Sequence, residues 1–207
     1  YIDDPIHGGV RIENDILPIY LCPLVQRLNF IRQLSFSYLS YPSALHSRLS
    51  HSLGVSSLME RIILRILTRN RFFPARKNRI KSVDEEKVKW YVKVAKIAGL
   101  LHDLGHSPFG HALDNYIGYM KGVYPYPDKV FSVEYFDKYL QGLSNSCKIP
   151  SHSIRQVLQH GNEDFDDEYL RLINQVLDSD LDIDRIDYLV RDAYHTGLRQ
   201  GTVSYTH

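Results

Sequence analysis

Between Val88 and Gly99 apolar residues return every third or fourth position, through Tyr91, Val92, Ala95 and Ala98, and the stripe runs straight into His102 and Asp103. That period sets one face of an α-helix against a core. The chain is therefore committed to a core-facing helix that ends in an imidazole and a carboxylate. The residues that follow concentrate the same chemistry. "GLLHDLGHSPFGHALD", Gly99 to Asp114, holds three histidines and two aspartates, with Gly105 and Pro108 marking a helix end and a turn.

Other segments carry helical spacing as well. "PLVQRLNFIRQL" has Leu24, Leu28, Ile31 and Leu34 in register, with Pro23 suited to a first turn. A second stripe leaves His51 through Val55, Leu58, Ile62 and Ile66, while "SVEYFDKYLQGL", "IRQVLQH" and "DEYLRLINQVLDSD" predict shorter helices. "DIDRIDYLVRDAYHTG" predicts a last helix closed by Gly197. The opening "DPIHGGVRI" suits a turn and a small hairpin. With no repeat and no low-complexity tract, the expected fold class is all-α.

Composition narrows the function classes. Lys and Arg number 25 against 24 Asp and Glu, a net charge of +1, so nothing pushes the whole surface toward nucleic acid or membrane. The basic run "RNRFFPARKNRIK" of residues 69–81 reads as a solvated linker, since Pro74 interrupts it and acidic residues follow. Cys22 and Cys147 match no metal or redox spacing, which predicts a reducing, cytoplasmic compartment. No apolar run is long enough to span a bilayer.

A metal ion in a helical domain takes donors that project inward from facing helices. Three predicted helices offer them: His51 heads one stripe, His102 with Asp103 ends another, and Asp184 starts the last. Adjacent helix positions point about 100° apart, so His102 and Asp103 converge on one ion only near a helix end. Two imidazoles and two carboxylates suit one divalent ion, Mn, Fe, Zn or Mg, with positions left for water and substrate. Each residue alone has a plainer role as a hydrogen-bonded core histidine, a cap or an ion-pair partner. Asp184, Tyr188 and Asp192 lie four apart, so one helical face carries donor, ring and carboxylate. Core packing by Tyr188 and pairing of Asp192 with Arg191 or Arg199 would give the same spacing.

"HSRLSHSLGV" (46–55), "LLHDLGHSPFGH" (100–111) and "DLDIDRIDYLVRD" (180–192), preceded in order by "DPIHGGVRI" and "PLVQRLNFIRQL", resemble the HD-domain phosphohydrolases, specifically the deoxynucleoside triphosphate triphosphohydrolase branch. The resemblance implies a helical bundle around one divalent metal held by His51, His102, Asp103 and Asp184. It also implies attack of water on phosphorus at that centre. Residue by residue, it sets Gln33 and Arg48 against the deoxynucleotide, Arg185 at phosphate, and Tyr188 and Asp192 at the sugar 3′-hydroxyl. Asp103 then serves both metal and catalysis, and His106 and His111 stand near the phosphates for charge stabilisation or proton transfer. Taken alone, His106 and His111 would equally well cap the turn after Asp103.

Two departures stand out. Where the branch carries a His-Glu pair before a Ser-containing helix, this chain reads "YPYPDKVFSVEYF"; with Ser132 as the helix start, Asp128 and Lys129 occupy the place of the pair. The acidic and basic residues that bind an activating guanine nucleotide correspond to Leu21 and Asn29 here, although Gln26 and Arg27 remain. Little sequence follows Gly197, so the expectation is a single HD domain over 1–207, truncated relative to its family. The leading expectation is a metal-dependent nucleotide phosphohydrolase that cleaves deoxynucleoside triphosphates to deoxynucleoside and tripolyphosphate. The alternatives are a phosphomonoesterase or phosphodiesterase acting on nucleoside monophosphates, cyclic nucleotides or short oligonucleotides, and a nucleotide-binding regulatory module with little turnover. Expected partners are the nucleotide and, by resemblance, further copies of the chain; neither a membrane nor a stable nucleic-acid complex is expected.

Overall fold

The computed structural model describes residues 1–69, 84–144, 147–161, 164–165, 167–180 and 182–198; the rest of the basic run, 70–81, and Arg199 lie outside them. Strands Ile2–Asp4 (β1) and Gly8–Val10 (β2) pair antiparallel with Ile2 opposite Val10, which is the expected hairpin. Short helices Leu17–Tyr20 (α1) and Pro23–Gln26 (α2) lead to the long Arg48–Arg69 (α3) and Glu85–Leu101 (α4). There follow His111–Lys121 (α5), Pro127–Tyr135 (α6), Gln141–Ser144 (α7), Ser151–Leu158 (α8), Glu168–Leu177 (α9) and Ile183–Thr196 (α10). Apart from the hairpin, the described residues form an all-α fold.

Helices α3 and α4 make the central pair, with α10 against α3, and α8 and α9 against α4. Asp84 starts α4 by accepting the Lys87 amide, and Glu85 and Glu86 favour the positive end of the helix dipole. On α4 the predicted Val88, Tyr91, Ala95, Ala98 and Gly99 are buried, joined by Val94 and Ile97, while Val92 is partly buried. On α3 the core face is Val55, Met59 and Ile63, and the predicted Leu58, Ile62 and Ile66 lie one position off it and are only partly buried. The two backbones touch at Gly99, where a Cβ would lie 3.0 Å from Ser56 Cα. Ser56 Oγ donates across the same crossing to the Lys96 carbonyl at 2.8 Å. The buried Lys96 ammonium is itself paired with Glu13 at 2.8 Å and Glu60 at 2.6 Å. His51 precedes Ser56 and His102 follows Gly99, so this tight crossing sets the two histidines side by side.

Two local expectations are corrected. The spacing of residues 23–34 predicts one helix, but α2 ends at Gln26, a 3₁₀ turn spans Arg27–Phe30, and Ile31 is extended. Tertiary hydrogen bonds outcompete further helical turns. Arg27 donates to the carbonyls of Leu104 at 2.6 Å and His106 at 3.0 Å. Beyond it, the Ile31 carbonyl accepts the Arg48 amide at 2.8 Å, and the Gln33 amide donates to the His46 carbonyl at 3.0 Å. Secondly, α6 starts at Pro127, so Ser132 lies inside the helix and not at its start. Its hydroxyl accepts the Gly105 amide at 2.8 Å and donates to the His102 carbonyl at 2.7 Å, locking α6 to the turn after α4.

The hairpin is attached through Arg191, whose side chain is fully buried. It donates to Asp187 at 2.7 and 3.0 Å and to Asp4 at 2.7 and 3.2 Å. Removing one partner of such a buried network leaves charge without compensation. Arg191→Leu is expected to cost about 3–5 kcal/mol, read as a fall in the urea midpoint; a change within ~0.5 kcal/mol would show that the two carboxylates do not depend on it.

Candidate metal centre

His51 lies in the first turn of α3, completely buried. Its Nε2 is 2.8 Å from Asp184 Oδ1, at the start of α10, and 3.9 Å from Asp103 Oδ2. His102, just past α4, has its Nε2 3.3 Å from Asp103 Oδ1 and 3.6 Å from Asp184 Oδ1. The two rings meet edge-on with centroids 5.2 Å apart. Donor atoms of His51, His102 and Asp103 lie within 4.8 Å of one another. The opposite nitrogen of each ring is held: His51 Nδ1 bonds Asp187 Oδ2 at 2.8 Å, and His102 Nδ1 donates to the Gly99 carbonyl at 2.9 Å. Such outer partners fix ring orientation and tautomer in metal-binding histidines.

The donors fit a divalent ion. With Nδ1 donating to a carbonyl, His102 aims Nε2 at two carboxylates, Asp103 and Asp184, which raise its pKa against burial; once deprotonated, that buried nitrogen offers a lone pair with no hydrogen-bond partner. A cation satisfies lone pair and carboxylates together. The charges say the same. Burial opposes protonation of His51, but hydrogen bonds to Asp184 and Asp187, with the charge of Asp103, outweigh it and push its pKa up to about 10. Burial likewise opposes ionisation of Asp103, yet His102, Arg48 and His106 hold it well below the usual carboxylate range. Asp184 is held low against burial by His102 and His51.

Around this centre, Arg48 Nη1 donates to Asp103 Oδ2 at 2.8 Å. His106 is buried; its Nδ1 bonds Asp114 at 2.6 Å, and its Nε2 lies 3.4 Å from Asp103 Oδ1. Burial disfavours its charged form, but Asp103 and Asp114 prevail and raise its pKa to about 9. His111 is exposed at the head of α5, its ring 5.0 Å from that of His106. These groups open onto a cavity of 620 Å³ that Gln33, Arg48, Tyr188 and Asp192 also line. Gln33 Oε1 is buried there without a hydrogen-bond partner.

Arg185 is not brought to this cavity: it is exposed and donates to the Asp180 carbonyl. Asp192 pairs with His46 at 2.7 Å and not with Arg191, which is committed to Asp4 and Asp187. Sequence reasoning missed His46, Asp187 and His7, whose Nε2 lies 2.5 Å from Asp187 Oδ1. The only available signal was the three-residue step from Asp184 to Asp187, which puts both on one side of α10.

Fold and site together define a helical domain organised around an imidazole–carboxylate centre for a divalent metal. The HD domain family model matches residues 48–192, and the chain belongs to that family of metal-dependent hydrolases. It is 32% identical to the uncharacterized protein MG461 of Mycoplasma genitalium, over 99% of this chain and 45% of that protein. It is 28% identical to the deoxynucleoside triphosphate triphosphohydrolase SAMHD1 homolog of Dictyostelium discoideum, over 95% of this chain and 36% of the relative. The crystal structure of a hypothetical protein from Aquifex aeolicus superposes with a TM-score of 0.70 at 26% identity, covering 99% of this chain and 48% of that one. The chain thus spans about a third to a half of the length of the proteins it matches. Among the described residues no helix is long and apolar enough to cross a membrane.

Two outcomes are expected. Asp187→Asn removes the charge of the acceptor that orients the His51 ring and should lower metal affinity 10–100-fold, measured by competition with a chelator. His51 titrates at 6.5 when unperturbed and at about 10 in the metal-free fold. Its raised pKa therefore stabilises the metal-free protein fully below pH 6.5, and that contribution disappears as pH rises through about 10. The melting temperature of the metal-free protein should fall across this window while metal affinity rises, because binding displaces the proton; a flat profile in both would refute the assignment.

Proposed function

We propose that the protein hydrolyses deoxynucleoside triphosphates to deoxynucleoside and tripolyphosphate, using one divalent ion held by His51, His102, Asp103 and Asp184. The observation that carries this reading is a shared cavity: the metal donors His102, Asp103 and Asp184 line the same space as Gln33, Arg48, Tyr188 and Asp192. Its 620 Å³ suits a nucleotide-sized ligand. Relatives at 27–28% identity from Danio rerio and Bos taurus, which carry the name deoxynucleoside triphosphate triphosphohydrolase SAMHD1, support the substrate class.

When bound, the ion supplies Lewis acidity toward the phosphoryl oxygens. The chain supplies the rest. Arg48, oriented by Asp103, offers fixed positive charge to phosphate. His106 and His111 stabilise charge at the same wall and carry the proton needed by the departing 5′-oxygen. Gln33 and Tyr188 orient the nucleoside. Asp192, with one oxygen held by His46, has its other free to accept from a sugar hydroxyl. Arg185 serves only if its side chain leaves Asp180. Neither Cys22 nor Cys147 is in a disulfide, in keeping with a cytoplasmic setting, and self-association belongs to the same reading.

One observation favours a second reading, a phosphomonoesterase or phosphodiesterase of the same fold. Asp128 and Lys129 stand where the resemblance places a His-Glu pair; Asp128 faces His106 at 3.6 Å, and Lys129 pairs with Asp178 in the cavity wall. Mass-resolved products from metal-loaded protein and mixed nucleotides separate the readings. Tripolyphosphate with free deoxynucleoside is expected, Asp184→Ala should abolish it, and Arg48→Ala should lower kcat/KM by about 10²-fold or more. Orthophosphate or an opened cyclic nucleotide would establish the second reading, and intact nucleotide retained on the protein would make the domain a binding module.

A further inference from the structure

We propose that His46, backed by His195, is a specificity-determining positioning residue: it aims Asp192 at the sugar 3′-hydroxyl, so that the cavity selects nucleotides carrying that hydroxyl. The inference rests on the nucleotide reading above and assigns the selection to a residue that lies behind the cavity wall.

The His46 side chain is only 1% exposed, and its Nε2 lies 2.7 Å from Asp192 Oδ1. A carboxylate can only accept, so Nε2 carries a proton and donates it to this bond. The other ring nitrogen, Nδ1, is buried with no hydrogen-bond partner. No second polar tether therefore holds the ring, and packing fixes it instead. The His195 ring stacks on it with centroids 4.4 Å apart and planes 13° from parallel. Asp192 and His195 stand three residues apart on α10, on one side of the helix. One ring thus meets both, its edge against the carboxylate and its face against the imidazole. Ser43 Oγ donates to the His195 carbonyl and ties the start of the same segment to the end of α10.

The segment is laced on its other side to Gln33, whose amide donates to the His46 carbonyl at 3.0 Å, while the Arg48 amide donates to the Ile31 carbonyl at 2.8 Å. Asp192 and Gln33, which both line the cavity, therefore both depend on His46. They do so differently: Gln33 is held by the backbone and Asp192 by the ring. Replacing the ring leaves the backbone lacing and Gln33 in place, so the effect falls on Asp192 alone. Among the described residues the Asp192 carboxylate has no side-chain partner except His46. With Oδ1 tied, Oδ2 is left in one orientation; untied, the carboxylate turns about its own side-chain bonds and meets a hydroxyl in few of its positions. A site built to bond a hydroxyl rejects the analogue without it, because its own polar group is then left unpaired.

Equilibrium dialysis of the metal-free protein, in which no turnover interferes, tests this with each deoxynucleoside triphosphate and its 2′,3′-dideoxy counterpart. The wild type should prefer the hydroxylated ligand by about 10-fold or more. His46→Leu should remove the preference and leave dideoxy affinity unchanged, and His46→Gln, whose amide reaches toward the place of Nε2, should restore part of it. A wild type without preference, a preference that survives His46→Leu, or equal weakening of both ligands would overturn the proposal; the last is the mark of a merely structural residue. A second measurement needs no apolar variant at this buried position. The ¹⁵N resonance of His46 Nε2 in the wild type, assigned by its absence from His46→Gln, should shift with the hydroxylated ligand and not with the dideoxy one; an equal response, or none, would overturn the proposal. The expected preference and its loss, in a protein that releases no tripolyphosphate when metal-loaded, would support His46 and reject the proposed function alone. A wild type that binds neither ligand would overturn both.

Discussion

A carboxylate with no exposed side-chain surface, Asp187, sits where the hairpin, α3 and α10 meet. Moving such a charge out of water costs several kcal/mol, and only donors on every side repay it. His51, His7 and Arg191 are those donors, and burial notwithstanding they hold Asp187 far below the usual carboxylate range. Even the facing backbone conforms: a Cβ on Gly54 would lie 2.0 Å from an Asp187 oxygen. The orientation of His51, the seat of the hairpin and the packing of α10 on α3 are thus aspects of one solution to one buried charge.

The metal centre continues this logic outward. Asp187 turns His51 so that Nε2 faces Asp184, and the Gly99 carbonyl turns His102 toward Asp103 and Asp184. Two apolar helices meeting at Gly99 and Ser56 bring the rings together, so hydrophobic packing sets the spacing and buried hydrogen bonds set the direction. Asp103 then passes the pattern on to Arg48 and His106. The result is a gradient from a fully dry network behind His51 to the open wall at His111.

How much of this is legible in the sequence depends on what imposes each feature. The stripes of α3 and α4 exist because burial selects apolar residues at helical spacing, and His51, His102 and Asp103 at their ends are legible with them. Asp184 opens α10, whose buried face holds Asp187 and Arg191 beside Ile183 and Ala193, and it is legible through the resemblance. Residues 27–34 are not. Their apolar spacing is helical, but Arg27 bonds carbonyls 77 and 79 residues away, and no local pattern records that. Arg185 follows Asp184 directly, and one step along a helix rotates a side chain by about 100°, out of the cavity. His7, His46 and Asp187 escape for another reason: they hold other side chains, across separations such as the 180 residues between His7 and Asp187. Resemblance to a family marks the candidate donors and leaves their supports unmarked.

The hairpin contributes no metal donor, yet Asp4 and His7 complete the surroundings of Asp187. It acts as a clasp on the ligand sphere and not as a member of it. The hairpin packs on α3 and reaches α10 through Arg191, so undocking it would strip Asp4 and His7 from the network and leave Asp187, which aims His51, with fewer donors. The candidate centre is thus tied to the first ten residues through Asp187, one step removed from any donor it offers.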